Sequence, residues 1–115
     1  NFYDKADIFL LTRPSTLPGE TLLPMKLLEV SALNKIILAS DMQIIREVSK
    51  EINNIFLFKS DDFESFSDCL KNLINSSTLI KDNYDVLNKN FNWNTNKMIL
   101  DELYNMIMSD NINAY

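Results

Sequence analysis

The hydrophobic residues in the first half of the chain form three short runs, each bounded by polar or turn-forming residues. The runs lie at about 6–12 (ADIFLLT), 35–40 (KIILAS) and 55–58 (IFLF). None of them shows a sustained alternation of apolar and polar positions, which is typical of strands that are buried on both faces of a parallel sheet. We therefore predict three parallel strands at these positions.

Helical periodicity separates the three runs. Residues 24–33 read as a helix, and Pro24 suits its first turn because the missing N–H group has no helical partner there. Residues 42–52 form an amphipathic pattern with isoleucine and valine on one face. Strand–helix–strand–helix–strand order predicts right-handed crossovers, and therefore an α/β fold.

The pattern becomes purely helical after the third run. Apolar residues keep helical spacing over about 61–75, 78–90 and 93–108, including a stripe that contains Phe63 and Phe66. Three strands are few for a doubly wound domain. The order therefore indicates the second half of a Rossmann-like domain over residues 1–115, closed by C-terminal helices.

Charge and length exclude several functional classes. The 115 residues carry 11 Lys and Arg against 16 Asp and Glu, a net charge of −5. A basic surface for nucleic acid is excluded, because neutralising phosphates requires clustered cations. No apolar run approaches the ~20 residues of a membrane-spanning helix.

Two scarce residue types limit the chemistry further. Cys69 is the single cysteine, which excludes an internal disulfide and is typical of a reducing, cytoplasmic setting. The absence of histidine excludes Ser-His-Asp and Cys-His mechanisms and most zinc sites. We therefore expect no metal. Because the sequence starts at Asn1 without Met or a signal peptide, we expect it to be part of a longer chain.

Six segments follow one another in a specific order and spacing: residues 3–11 (YDKADIFLL), 24–33 (PMKLLEVSAL), 35–41 (KIILASD), 47–48 (EV), 53–58 (NNIFLF) and 91–93 (FNW). From Tyr3 to about Ile107 the chain thereby resembles the C-terminal, donor-binding domain of retaining group 1 glycosyltransferases with the GT-B fold. The resemblance implies that the family's N-terminal acceptor domain and the first half of this domain lie outside the sequence.

Two departures from the family pattern have a structural interpretation. Asn34 and Asn54 stand where the family usually has glycine, after the helix at 24–33 and before the third strand. Both places require a left-handed backbone, and asparagine is the best non-glycine residue for it. We predict positive φ at both.

The family's signature is a pair of glutamates eight positions apart, and Glu29 matches the second of them. Its implied role is to accept hydrogen bonds from the ribose hydroxyls of the nucleotide, which a carboxylate can do with both oxygens. As the one charge in an apolar stretch, Glu29 is expected to face a cleft. The alternative is an exposed glutamate paired with Lys26 on the helix surface.

The first glutamate of the pair has no clear counterpart. Glu20 lies nine positions before Glu29, and Thr21 occupies the matching place. Either Glu20 takes the role through a one-residue bulge in the loop, as a possible catalytic residue, or it is a solvated turn residue. No other catalytic residue is predicted.

The diphosphate of a nucleotide sugar requires hydrogen-bond donors and positive charge. The start of the helix at 24–33 offers free N–H groups and the positive end of its dipole. The resemblance implies contacts from the amides near Leu23, Met25 and Lys26, with added charge from Lys26. Alternatively, Lys26 is an ordinary solvated residue of the first helical turn and binds no phosphate.

The resemblance implies sugar transfer from a UDP- or GDP-linked donor to a carbohydrate or lipid-linked acceptor, with no required metal and no other cofactor. The chain alone is expected to be inactive. A non-catalytic interaction module of the same fold and part of a sugar-nucleotide epimerase remain as alternatives.

Partners other than the donor follow from the predicted fold. The strand at 6–12 has an apolar edge that would be unpaired without the first half of the domain, so we expect self-association there or cover from an upstream segment. Membrane contact is expected only through the parent enzyme, at the inner face, because the net charge here is −5.

Overall fold

The three apolar runs form one parallel sheet. The computed structural model describes residues 2–14, 16–17, 21–76 and 79–113. The strands are β1 (Ile8–Leu11), β2 (Ile36–Ser40) and β3 (Ile55–Phe58), in the order β1-β2-β3. The register places Phe9 beside Ile37 and Ile37 beside Ile55. The predicted α/β class with a Rossmann-like half sheet is therefore confirmed.

The helices follow the predicted order with changed bounds. A 3₁₀-helix (Phe2–Lys5) precedes β1, and the α-helices are α1 (Met25–Ala32), α2 (Gln43–Val48), α3 (Phe63–Asn75), α4 (Tyr84–Asn90) and α5 (Trp93–Asn113). The helix expected from about residue 78 begins only at Tyr84, and the one expected to end near 108 continues to Asn113.

Side chains of β2 point alternately to two hydrophobic cores, as successive residues of a strand must. Ile37 and Ala39 are buried against helices α1 and α2, where Leu27, Val30 and Ile45 complete the cluster. On the opposite face Leu38 is buried with Phe58 and Leu73. β2 is therefore covered by helices on both faces, which explains why its sequence lacks alternation. The expected burial of β1 on both faces is not found, because Leu10 is 56% exposed and no residue of β1 is fully buried.

The two asparagines predicted to be left-handed are so. The φ angle of Asn34 is 56° and that of Asn54 is 67°, while Asp61 has a φ of 57° that the sequence pattern did not predict. Asn34 follows α1 and Asn54 precedes β3, so both lie at the amino edge of the sheet.

A buried side chain organises this amino edge. Asn83 is fully buried, and its Nδ2 group donates to the carbonyls of Ser31 (3.1 Å) and Asn53 (3.2 Å). Its Oδ1 accepts from the Asn53 amide at 2.7 Å, and its own amide donates to Asn34 Oδ1 at 2.9 Å. We call Asn34, Asn53, Asn54 and Asn83 the asparagine clamp.

The clamp also explains why residues 79–83 are not helical. Asn54 donates from Nδ2 to the Lys81 carbonyl (2.7 Å) and accepts at Oδ1 from the Lys81 amide (2.9 Å). Asn34 Nδ2 donates to Asp82 Oδ1 at 2.9 Å. Backbone groups that a helix needs are thus bonded to distant turns. Glycine at 34 or 54 has no side chain to form these bonds.

The chain divides into two compact units, residues 1–84 and 85–115. The first unit contains the sheet, the helices packed on it and the asparagine clamp. In the second unit Asn92 caps α5, because its Oδ1 accepts from the Asn94 amide at 2.8 Å. Asn92 Nδ2 also donates to Asn88 Oδ1 at 2.6 Å.

Replacing Asn83 with alanine should destabilise the first unit by about 2–4 kcal/mol, because hydrogen bonds are lost and buried backbone groups remain unsatisfied. Urea denaturation followed by circular dichroism measures the change. Asn72→Ala, at an exposed position of α3, is the control and should stay within about 0.5 kcal/mol. Equal stability of the two variants would contradict a structural role for the clamp.

Asp82 should make stability depend on acid pH. Hydrogen bonds from Asn34 Nδ2 and the Tyr84 amide hold the pKa of Asp82 below its ordinary value of 3.8, and slight desolvation opposes them. Since the folded pKa is the lower one, the stabilisation exists above pH 3.8 and is lost as pH falls through the folded value. In thermal melts across this range Asp82→Asn should therefore lose less stability than the unaltered protein. The control is Asp68→Asn, which removes an exposed carboxylate of α3 instead.

Candidate functional site

The loops that follow the three strands meet at the carboxyl edge of the sheet, where ligands bind in open α/β folds. The first segment joins β1 to α1 and carries Thr21 and Leu23, while Met25, Lys26 and Glu29 lie in α1 itself. The second follows β2 at Asp41, and the third is residues 59–62 before α3.

The first turn of helix α1 lies at this edge. Pro24 has extended backbone angles (φ −70°, ψ 123°), and its carbonyl accepts from the Leu27 amide at 3.0 Å. Leu27 is buried in the core, whereas Met25 is 68% exposed and Lys26 is also exposed. The first-turn amides of an α-helix have no intrahelical partner and are available to a ligand.

Glu29 lies on the solvent side of α1, opposite the buried residues Leu27 and Val30. It does not line the carboxyl-edge cleft described below, so the expectation that it faces a cleft is not met. Within the described ranges neither Glu29 nor Lys26 forms an ion pair or a side-chain hydrogen bond. The alternative of a Lys26–Glu29 pair is therefore not realised, and neither charge is compensated by a described residue.

The remaining predicted residues precede α1. Thr21 is exposed, and its Oγ1 donates to the Leu17 carbonyl at 2.8 Å. Leu23 is half-buried, and its side chain packs on the core beneath α1 and α2. Glu20 lies outside the described residues.

Arg13 connects the end of β2, the loop after β3 and the segment before α1. Its backbone amide donates to the Ser40 hydroxyl at 3.0 Å, and its carbonyl accepts from the Ser60 hydroxyl at 3.3 Å. Its guanidinium Nη1 donates to the Leu22 carbonyl at 3.2 Å, just before α1. Sequence reasoning missed this residue, although an arginine directly after a buried parallel strand was the available signal.

A cleft opens beside Arg13, on the α3 side of the sheet. We call it the carboxyl-edge cleft. Its volume is about 490 Å³, within the range of small-molecule sites. It is lined by Leu10, Thr12, Arg13, Pro14, Ser40, Phe58, Asp61, Asp62, Phe63 and Phe66.

Aromatic rings form one wall of this cleft. Phe58 and Phe66 contact edge to face, with centroids 5.2 Å apart. Phe63, which helical spacing grouped with Phe66 as core, is instead 79% exposed. It is the first residue of α3, and its side chain lines the cleft.

Two carboxylates also line the cleft. Asp62 caps α3, because its Oδ1 accepts from the Ser65 amide at 3.0 Å. Asp61 is exposed at its left-handed turn. Neither forms an ion pair with Arg13 in the part of the chain that the structure describes.

Other polar groups near the edge have structural roles. Asp41 pairs with Arg46 of α2 at 2.8 Å. Cys69 is a half-buried residue of α3, its thiol donates weakly to the Leu57 carbonyl at 3.8 Å, and burial raises its pKa. A raised pKa disfavours the thiolate, so Cys69 is unsuited to nucleophilic chemistry.

Two further features are absent from the described residues. No group of cysteine, aspartate and glutamate side chains there is arranged to hold a metal ion. None of the described helices combines the length and apolar character needed to cross a bilayer.

No protein-family model, curated protein or solved structure matches the chain. Its function is therefore inferred from the residues and their geometry.

Proposed function

We propose that the chain is the donor-binding part of a retaining GT-B glycosyltransferase, which transfers a sugar from a UDP- or GDP-linked donor to a carbohydrate or lipid-linked acceptor. The observation that carries the proposal is that α1 begins at the carboxyl edge of a parallel sheet. There Lys26 and Glu29 are exposed and have no partner among the described residues.

The diphosphate would lie at the start of α1. The amides of Met25 and Lys26 and the helix dipole supply positive potential there, and the Lys26 ammonium adds a full charge. Such fixed donors stabilise the charge that develops on the leaving diphosphate, without solvent reorganisation. This arrangement supplies the electrostatic part of the reaction without a required metal.

Glu29 would bind the ribose. It lies one helical turn beyond Met25, on the same exposed side of α1. The two carboxylate oxygens can accept from the neighbouring 2′ and 3′ hydroxyls. The nucleotide would then extend along the outer surface of α1, with its phosphates at the helix start.

The resemblance to the family is supported by backbone conformation as well as by segment order. The two asparagines that replace family glycines have φ angles of 56° and 67°, so the substitutions retain the left-handed turns. In the same proposal the parent enzyme is cytoplasmic, with any membrane contact made at the inner face by its other parts.

A non-catalytic interaction module is the second candidate. Thr21 stands in the place of the first family glutamate, and its hydroxyl is bonded to the Leu17 carbonyl. A threonine cannot supply the acid–base chemistry or negative charge of a carboxylate. Part of a sugar-nucleotide epimerase remains a third alternative, which donor binding alone does not separate from a transferase.

Calorimetric titration with UDP and GDP tests donor binding. We expect binding by the unaltered chain and a loss on the order of tenfold in Glu29→Gln, because a neutral amide oxygen is a weaker acceptor for the ribose hydroxyls. Glu102→Gln, an equal charge change at an exposed position of α5, should leave affinity unchanged. Absence of binding at millimolar nucleotide would contradict the proposal and favour the interaction module.

Turnover should be absent even where the nucleotide binds. The acceptor site and any catalytic base belong, in this proposal, to the N-terminal domain of the parent enzyme. Incubation with UDP- and GDP-sugars and mixed carbohydrate acceptors, followed by mass spectrometry, should yield no transfer product. Clear sugar transfer by these 115 residues would show that the division between donor and acceptor parts is wrong.

A further inference from the structure

We infer that Arg13 is an anion-binding residue that holds a phosphate group at the carboxyl edge of the sheet, where its guanidinium lies beside the segment that leads into α1. Arg13 lies outside the set of residues predicted to bind the donor. The identity of the ligand as a nucleotide sugar rests on the proposed function, whereas the anion site rests on the geometry of Arg13 itself.

Arg13 is held by contacts to the last residue of β2, to the loop after β3 and to the segment before α1. Ser40, which is 2% exposed, accepts from its amide, and Ser60 donates to its carbonyl. Among the described residues the guanidinium contacts the Leu22 carbonyl through Nη1, which orients the side chain toward the segment leading into α1. A cation held in this way loses little conformational entropy when it binds a ligand.

Its charge is not compensated by the described part of the protein. Arg13 is half-buried, yet no carboxylate among the described residues lies within ion-pair distance of it. Arg46, in contrast, has a carboxylate partner, because its Nε lies 2.8 Å from Asp41 Oδ1. In a chain of net charge −5, a half-buried arginine that lines a cleft without such a partner indicates a site for an external anion.

The chemistry of the guanidinium selects the class of anion. Arginine presents five N–H donors in a planar fork, and one of them is bonded to Leu22. The others match the oxygen spacing of a phosphate, which arginine binds with two parallel hydrogen bonds. The exposed Phe63 ring in the same lining offers an apolar surface to the body of a phosphorylated ligand.

The carboxylates of Asp61 and Asp62 weaken anion binding at Arg13. Both carboxylates line the cleft, and their charge opposes an anion bound at Arg13. Asp62 is engaged as the cap of α3, but Asp61 is exposed. Removing the Asp61 charge should therefore strengthen anion binding, and asparagine accepts the left-handed backbone found there.

Titration with inorganic pyrophosphate, at low ionic strength and followed by calorimetry, tests the anion site without a nucleoside. We expect Arg13→Gln to weaken binding at least tenfold and Asp61→Asn to strengthen it about two- to threefold. Arg46→Gln is the matched control, because it removes the same charge from an arginine that is already paired. It should leave affinity within about twofold.

Three results would overturn the inference: no pyrophosphate binding by the unaltered chain, equal weakening by Arg13→Gln and Arg46→Gln, or no strengthening by Asp61→Asn. Thermal melts verify that each variant folds. If Arg13→Gln does not fold, Arg13→Lys retains the charge without the planar fork, and it should weaken pyrophosphate binding several-fold. Unchanged binding in that variant would contradict bidentate recognition.

Titration with uridine and UDP separates this inference from the proposed function. Arg13-dependent binding of pyrophosphate, with no binding of uridine and no gain for UDP over pyrophosphate, would uphold the anion site and contradict the nucleotide-sugar proposal. UDP binding that depends on Glu29 and is unaffected by Arg13→Gln would uphold the nucleotide-sugar proposal and contradict the anion site.

Discussion

Burial of β2 on both faces is the constraint on which the rest of the structure depends. Ile37 and Ala39 join the core beneath α1 and α2, while Leu38 joins the core beneath α3. Each fully buried aliphatic side chain contributes about 1.5–3 kcal/mol, so one strand ties three helices into a single unit. With β2 central and all strands parallel, the three carboxyl ends meet at one edge.

The two edges of the sheet have different chemistry. At the amino edge the side-chain amides of the asparagine clamp satisfy turn and loop backbone, and little polar capacity remains for a ligand. At the carboxyl edge Arg13 and Lys26 are charged and unpaired among the described residues. This asymmetry is what the ligand-binding rule for open α/β sheets expects, and it places the candidate site where the strands end.

Local patterns were sufficient to predict the sheet but insufficient for the site. Non-alternating runs located β1, β2 and β3, and the glycine positions of the resembled family located the left-handed Asn34 and Asn54. The predicted helix wrongly included residues 79–83. These residues bond to positions some thirty or fifty residues away in the chain, and local periodicity carries no information about such distant bonds. Phe63 and Arg13 line the cleft because α3 begins, and β1 ends, at the carboxyl edge of the sheet. Local periodicity does not indicate that these two places are close together.

Asn83 carries a chemical vulnerability that follows from its bonding. Its primary amide accepts one hydrogen bond and donates two, a combination that a carboxylate cannot provide. Hydrolytic deamidation at this position would place two acceptor oxygens against the Ser31 and Asn53 carbonyls and bury a negative charge. Chemical ageing of this one side chain would therefore loosen the protein from the amino edge of the sheet, the edge opposite the carboxyl-edge cleft.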